Sequence, residues 1–129
     1  MHSIQVYLLD KKEIRGEKIR SVTEGESSDI KFTKMGEGIL ATTHIPKFKE
    51  FRKGKTIAKI ETDYFGGSGE QSAKLYVDGV KKYDESDVFD YSKTPINDVL
   101  KMMGVVKKTG MDEFDTIGLG KFRTNQDFE

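Results

Sequence analysis

The strand-like patterns of this sequence precede residue 84, whereas its helical patterns follow Thr94. Apolar and polar residues alternate at 4–8, 56–65 and 71–77, which is the two-residue period of a strand with one buried face. Strand and helix patterns do not alternate along the chain, which disfavours a parallel sheet with crossover helices. The sequence therefore predicts an α+β fold. We expect a mostly antiparallel β-sheet of five or six strands, with one or two C-terminal helices packed on one face.

A hairpin is the clearest local signal in the strand region. Asp78-Gly79 suits a type I′ turn, because both central positions of that turn need positive φ. The returning strand is predicted at 80–83. The residues that follow, 84–93, carry four acidic side chains and one basic one, so we expect an acidic loop there.

Two helices are predicted after this loop. Thr94 suits an N-cap and Pro95 suits the first helical position. Apolar residues then recur with helical spacing until Gly104, which suits the position just after a helix. A second short helix is predicted at 112–118, with Asp112 as its cap.

Length and composition limit the remaining classes. The 129 residues fit one domain, 1–129, whose polar tail we expect to be frayed from about 123. Without Cys and with only His2 and His44, disulfides, thiolate nucleophiles and His-rich metal sites are excluded within one chain. No apolar run approaches the roughly 18 residues of a membrane span. A soluble, cytoplasmic protein without membrane contact is predicted.

Charge is balanced overall but uneven along the chain. Twenty-two basic residues face 22 acidic ones. Residues 1–55 carry 12 basic and 8 acidic side chains, whereas 56–129 carry 10 and 14. Zero net charge argues against a general binder of nucleic acid or membranes. It still permits two opposed patches, if folding separates the charges rather than mixing them.

The segment 61–71 is the most unusual in the sequence. Three glycines in four residues interrupt a strand pattern, which allows an anion-binding loop but is also typical of a hairpin loop or β-bulge. No Lys-Ser/Thr pair follows, so the segment is not a Walker loop. The candidate functional cluster comprises Glu61, Asp63, Tyr64, Gly66, Gly67, Gly69, Glu70 and Gln71.

Three carboxylates of this cluster suggest a specific chemistry. Glu61 and Asp63 fall on the same strand face, about 7 Å apart. If the loop folds Glu70 back, the three could hold Mg²⁺ or Ca²⁺ or carry out acid–base hydrolysis. Otherwise Lys59, Glu61 and Asp63 form a solvated face with cross-strand partners such as Lys74. Beyond this Mg or Ca alternative, no cofactor is predicted.

The stretch 47–55 is the densest basic region and contains two Phe. Basic and aromatic residues together are typical of proteins that bind single-stranded nucleic acid. The residues that would carry such binding are Lys49, Arg52, Lys53 and Lys55. The neutral charge of the whole chain weighs against this function.

The favoured interpretation is a small non-catalytic binding or interaction protein of accessory, inhibitor or immunity type, whose partner is another protein. Its size, the lack of a catalytic motif, and acidic segments at 84–90 and 112–115 that could mimic an anionic ligand support this. One alternative is a carboxylate- or divalent-metal-dependent hydrolase that uses 61–71. Another is single-stranded nucleic-acid binding through 47–55.

Overall fold

The computed structural model describes residues 2–13, 20–23, 26–29, 32–45, 52–65, 68–88 and 93–128. Within these ranges, six antiparallel strands form one sheet and helices follow near the C-terminus. The predicted α+β class is therefore confirmed. None of the helices in these ranges has the length and apolar character needed to cross a membrane.

The strands of the main sheet are β1 (His2–Asp10), β4 (Thr33–Lys34), β5 (Ile39–Thr42), β6 (Thr56–Phe65), β7 (Ser68–Val77) and β8 (Val80–Val88). Their order across the sheet is β4-β5-β1-β6-β7-β8. A separate antiparallel pair is formed by β2 (Arg20–Thr23) and β3 (Glu26–Asp29). The α-helices described are α1 (Pro95–Met102) and α2 (Glu113–Thr116). Short 3-10 turns lie at Lys11–Glu13, Gly36–Gly38, Leu119–Lys121 and Asn125–Phe128.

One face of the main sheet carries the hydrophobic core. Successive side chains of a strand point to opposite faces, so most apolar positions collect on one side, while Leu9, Ile45 and Ile57 form a smaller buried cluster on the other side. The buried cluster joins β1, β6 and β7 to α1 and the turn after α2. Its members include Ile4, Val6, Leu8, Ala58, Ile60, Leu75, Ile96, Val99, Leu100 and Ile117. We call the opposite side of β1, β6 and β7 the polar face.

The first half of β1 has a different neighbour on each side. It pairs with β6 from His2 onward, but its register with β5 begins only at Tyr7. The C-terminal segment fills the free side: Ser3 N donates to Arg123 O (2.8 Å) and Gln5 N donates to Asn125 Oδ1 (2.7 Å). The tail thus supplies partners for strand N–H groups that no neighbouring strand reaches.

The C-terminal segment therefore differs from the expected frayed tail. Residues Asn125–Phe128 form a 3-10 turn, and Phe128 is buried against the core, with its ring stacked on Phe122 at 4.4 Å between centroids. The Asp127 carboxylate accepts hydrogen bonds from the backbone of Arg123 and Thr124. These bonds hold the pKa of Asp127 below its ordinary value. Although most residues of the tail are polar, Phe128 fixes it to the hydrophobic core.

The backbone groups at the two ends of helix α1 are satisfied by different kinds of hydrogen bond. Thr94 occupies the predicted N-cap position and Pro95 begins the helix, but the Thr94 side chain makes no capping bond. Instead, Ile96 N donates to the side-chain Oε1 of Gln71 on β7 at 3.1 Å. The predicted end is confirmed, because Gly104 takes φ of 93° and Val105 N donates back into the helix. A strand side chain thus satisfies a free N–H at the helix start.

Helix α2 is fixed by its own cap and by α1. Asp112 is the predicted cap, and its Oδ1 accepts from Asp115 N at 2.8 Å. The buried Asn97 of α1 accepts from Phe114 N (2.9 Å) and donates to Asp112 Oδ2 (3.2 Å). Asp112 therefore works within the fold, rather than as a free mimic of an anionic ligand.

The β7–β8 hairpin is confirmed at its turn and longer than expected after it. Asp78 and Gly79 take φ of 52° and 78°. The predicted loop from residue 84 is wrong up to Val88, because β8 continues to that residue. As an edge strand, β8 tolerates charged side chains. The Lys81 ammonium binds Asp84 at 2.9 Å and holds the pKa of Asp84 below its ordinary value.

Tyr83 joins β8 to α1. Its hydroxyl donates to Asp98 Oδ2 at 3.1 Å. Burial, together with this hydrogen bond and the nearby Asp98 charge, raises the pKa of Tyr83 to about 12. A phenol whose pKa is higher in the folded state stabilises the fold fully below its unfolded pKa of 10.0. That stabilisation is lost as the pH rises from about 10 to about 12.

We therefore expect one of the five tyrosines to titrate near pH 12. Its absorbance change should be missing in Tyr83→Phe. In Asp98→Asn the pKa should fall only part of the way towards 10, because burial is the larger cause. Titration of the tyrosinate band checks this. If the tyrosine lost in Tyr83→Phe instead titrates near pH 10 in the unaltered protein, the Tyr83–Asp98 contact would be contradicted.

The tail can be tested through its anchor. Phe128→Ala should lower the free energy of unfolding by about 3–5 kcal/mol, because it empties a buried aromatic site. Met111→Ala is the matched control, since Met111 is 47% exposed and its loss should be nearly neutral. Urea denaturation measures both variants. Equal stabilities for the two variants would show that the tail does not bind the core.

Candidate functional site

Like charges lie opposite one another on the polar face. The register of β6 and β7 pairs Lys59 with Lys74 and Asp63 with Glu70, and it places Glu61 opposite a serine. Lys74 is thus a cross-strand neighbour of this face, as predicted, but it lies opposite Lys59 and not opposite Glu61 or Asp63. Opposite charges are neighbours along β6 instead, where Lys59 Nζ lies 3.6 Å from Glu61 Oε1.

This register separates the charges of the polar face into two ends. The acidic end comprises Glu61, Asp63 and Glu70. The basic end comprises Lys59 and Lys74, and Arg52 lines a small cleft together with Lys59. Like charges directly opposite in a sheet are destabilising. The arrangement therefore reduces the stability of the β6–β7 pairing, while Lys59 contacts Glu61 along β6 and Lys74 also lies opposite Asp84 of β8.

The acidic end lies in a cleft of about 320 Å³. The side chains that border it on the polar face are mainly carboxylates, amides and hydroxyls, namely Ser3, Gln5, Glu61, Asp63, Glu70, Ser72 and Asn125. The amide of Gln5 donates to Glu61 Oε1 at 2.8 Å and orients that carboxylate. The cleft thus offers several hydrogen-bond acceptors beside two amide groups.

Within the described ranges, two of the cleft carboxylates have no cation close enough for an ion pair. Among the residues that the structure describes, no Lys, Arg or His nitrogen lies within 4.0 Å of Asp63 or Glu70. Asp63 is exposed and Glu70 is half-buried. The cleft therefore presents negative charge that the described part of the chain does not neutralise by ion pairing.

The predicted cluster is only partly brought together. Gln71 borders the cleft, but its Oε1 binds the start of α1 on the other face. Gly69 lies within β7, where it pairs with Tyr64. Gly66 and Gly67 are outside the described residues, as is the side chain of Tyr64. The candidate site within 61–71 is thus reduced to its three carboxylates.

Sequence reasoning missed three side chains of the cleft. Gln5 had a usable signal, because it alternates with the buried positions of β1 and must face the acidic strand. Ser72 had the same signal on β7. Asn125 had none, since its place depends on the tail returning to β1.

The hypothesis of a metal site at 61–71 requires the three carboxylates to converge. Within the described ranges, no three His, Asp or Glu side chains come together in a group that could hold a metal ion. Glu61 is bound by Gln5 and Lys59 instead. The arrangement gives no support to chemistry that requires Mg²⁺ or Ca²⁺ at 61–71.

The basic stretch 47–55 lies within the described residues from Arg52 onward. Lys49 lies outside the described residues. Lys53 is exposed, whereas Lys55 is only 9% exposed. Arg52 is half-buried and lines a small cleft at the basic end. The three described cations of the predicted nucleic-acid set thus occupy different environments.

Known proteins offer no guide to this site: no family model, no curated protein and no solved structure matches the chain.

The repulsion between Asp63 and Glu70 should lower the stability of the fold, and this can be tested by reversing one charge. Glu70→Lys places opposite charges across β6 and β7, so it should raise the free energy of unfolding by about 0.2–1 kcal/mol. The gain should shrink at high salt because of screening. Glu37→Lys, at an exposed turn residue, is the control with the same change of charge. An equal gain in both variants would attribute the effect to net charge, and not to Asp63.

Proposed function

We propose that this protein is a small non-catalytic binding protein whose acidic end receives a protein partner that presents arginine or lysine side chains. The observation that carries this proposal is the like-charge pair Asp63 and Glu70 in a polar cleft. A cationic side chain from a partner would neutralise that pair. The partner would thereby relieve a repulsion that the free protein retains.

The cleft also offers recognition beyond charge. An arginine guanidinium has five N–H donors in a planar fork and suits carboxylate and amide oxygens. Glu61 is held by Gln5 and Asn125 is held by the backbone of β1. Acceptors that are fixed before binding lose less conformational freedom when a ligand arrives. This favours a specific contact over diffuse attraction.

The sequence suggested the acidic segments 84–90 and 112–115 as the surface that contacts a partner, whereas the structure favours the acidic end of the polar face for this role. Asp84 binds Lys81, and Asp112 caps α2 and binds Asn97. These carboxylates already have partners inside the fold. Asp63 and Glu70 are the better candidates for an intermolecular contact.

The surroundings of the histidines favour binding over catalysis. The ring of His2 bonds to Thr62 Oγ1 (2.6 Å) and to Leu119 O (3.3 Å), on the helix side of the sheet. His44 is exposed in the segment after β5. The hydroxyl beside His2 belongs to Thr62, which is only 3% exposed, so it is not open to a substrate in the way that a nucleophile must be.

The proposal is tested by nuclear magnetic resonance titration of the labelled protein with a capped triarginine peptide. Amide signals of residues 61–63 and 70–72 should shift, whereas a capped triglutamate peptide should leave them unchanged. Neutralising the acidic end with Glu61→Gln, Asp63→Asn and Glu70→Gln should weaken binding at least about tenfold, because charge-assisted hydrogen bonds are lost.

The matched control removes three negative charges elsewhere, with Glu37→Gln, Glu85→Gln and Asp115→Asn, which are exposed positions. It should retain the affinity of the unaltered protein. Equal weakening in both triple variants would reduce the effect to net charge and overturn the proposed site. Shifts spread evenly over the protein surface would overturn it as well.

A further inference from the structure

A second, smaller cleft lies at the basic end of the polar face. Its volume is about 170 Å³. It is lined by two aromatic, two aliphatic and two cationic side chains, namely Tyr7, Tyr76, Ile45, Ile57, Arg52 and Lys59. None of these side chains is acidic. The cleft therefore combines apolar walls with positive charge.

Arg52 is the unusual member of this set. Its Nε is buried, and no hydrogen-bond partner for it lies within the described part of the chain. A buried donor without an acceptor is costly and rare in folded proteins. Guanidinium Nε and Nη donors together form a fork that matches a carboxylate or phosphate. The unsatisfied donor thus indicates a missing acceptor.

Lys59 and the tyrosines complete the recognition. The Lys59 ammonium lies 6.0 Å from the centre of the Tyr7 ring and 3.6 Å from Glu61. Its remaining N–H donors can bind an anion at the same cleft. Tyr76 lies across from Ile57 in the sheet register, so the cleft has an aromatic residue on the strand at each side of β6.

The volume of the cleft limits the size of a ligand that it can enclose. Clefts for drug-sized molecules have volumes of roughly 300–1,000 Å³. A cleft of about 170 Å³ suits a single ring with one charged group. Whole dinucleotides or long chains would extend beyond it.

We propose that this cleft binds a small anion consisting of one aromatic ring that carries a carboxylate or a phosphate group. The oxyanion accepts hydrogen bonds from the Arg52 fork and from Lys59. The ring lies against Ile57 between Tyr7 and Tyr76. This site is distinct from the acidic cleft, so it goes beyond the proposed function and does not depend on it.

Four probes test the proposal by calorimetric titration and by the ring signals of Tyr7 and Tyr76. They are benzoate, phenyl phosphate, phenol and inorganic phosphate. Benzoate, phenyl phosphate or both should bind. Any of the two that binds should do so at least about tenfold more tightly than phenol, which lacks the charge. The stronger aryl anion identifies carboxylate or phosphate as the natural group. Inorganic phosphate should bind more weakly because it lacks the ring.

Two variants separate recognition from folding. Arg52→Lys keeps the charge but removes the Nε fork, and it should weaken aryl-anion binding at least about tenfold. Lys53→Gln, an exposed neighbour outside the cleft, should leave affinity unchanged. Without ligand, the melting temperature of Arg52→Lys should stay equal or rise, because an unsatisfied buried donor is removed.

The proposal is overturned if neither aryl anion binds, or if phenol binds as tightly as both of them. Unchanged affinity in Arg52→Lys would also overturn it. A fall in melting temperature for Arg52→Lys without any aryl-anion binding to the unaltered protein would assign Arg52 to the stability of the fold. The triarginine titration remains a separate result in each case, because its signals arise at the acidic end.

Discussion

Burial of alternate residues on β1 decides which face of the sheet the helices cover. Ile4, Val6 and Leu8 are almost fully inaccessible and lie in one cluster with residues of α1. Because strand side chains alternate, the same backbone places Gln5 on the opposite face beside Glu61. A shift of one residue in the β1–β6 register would exchange these faces. The polar face and both of its clefts thus depend on this one pairing.

The register of β6 and β7 then determines the charge pattern. It aligns Asp63 with Glu70 and Lys59 with Lys74, which a sheet selected only for stability would avoid. Proteins commonly break local stability rules at functional sites. The two unfavourable pairs lie beside separate clefts of opposite charge. This coincidence is the main physical reason to regard the polar face as a binding surface.

The sequence correctly predicted those turns and helix ends that depend on residues adjacent in the chain. The Asp78-Gly79 turn, the end of α1 at Gly104 and the Asp112 cap each depend on neighbouring residues only, and the structure has all three. The failures have distant causes. Gln71 satisfies the start of α1 in place of Thr94, and β1 binds the tail that its polar residues predicted to be free. The helix-facing position of Gln71 could have been predicted from the alternation of Ala73 and Leu75.

The balanced composition of the chain conceals this pattern, because charges that cancel in total are separated along two strands. The most direct measurement of that separation is paramagnetic relaxation with matched cationic and anionic cosolutes, read at the protons of the polar face. Protons of Glu61, Asp63 and Glu70 should relax faster with the cationic cosolute. Those of Lys59 and Lys74 should relax faster with the anionic one. An equal ratio of the two rates at both ends would contradict the separation of charge on which the proposed binding surface depends.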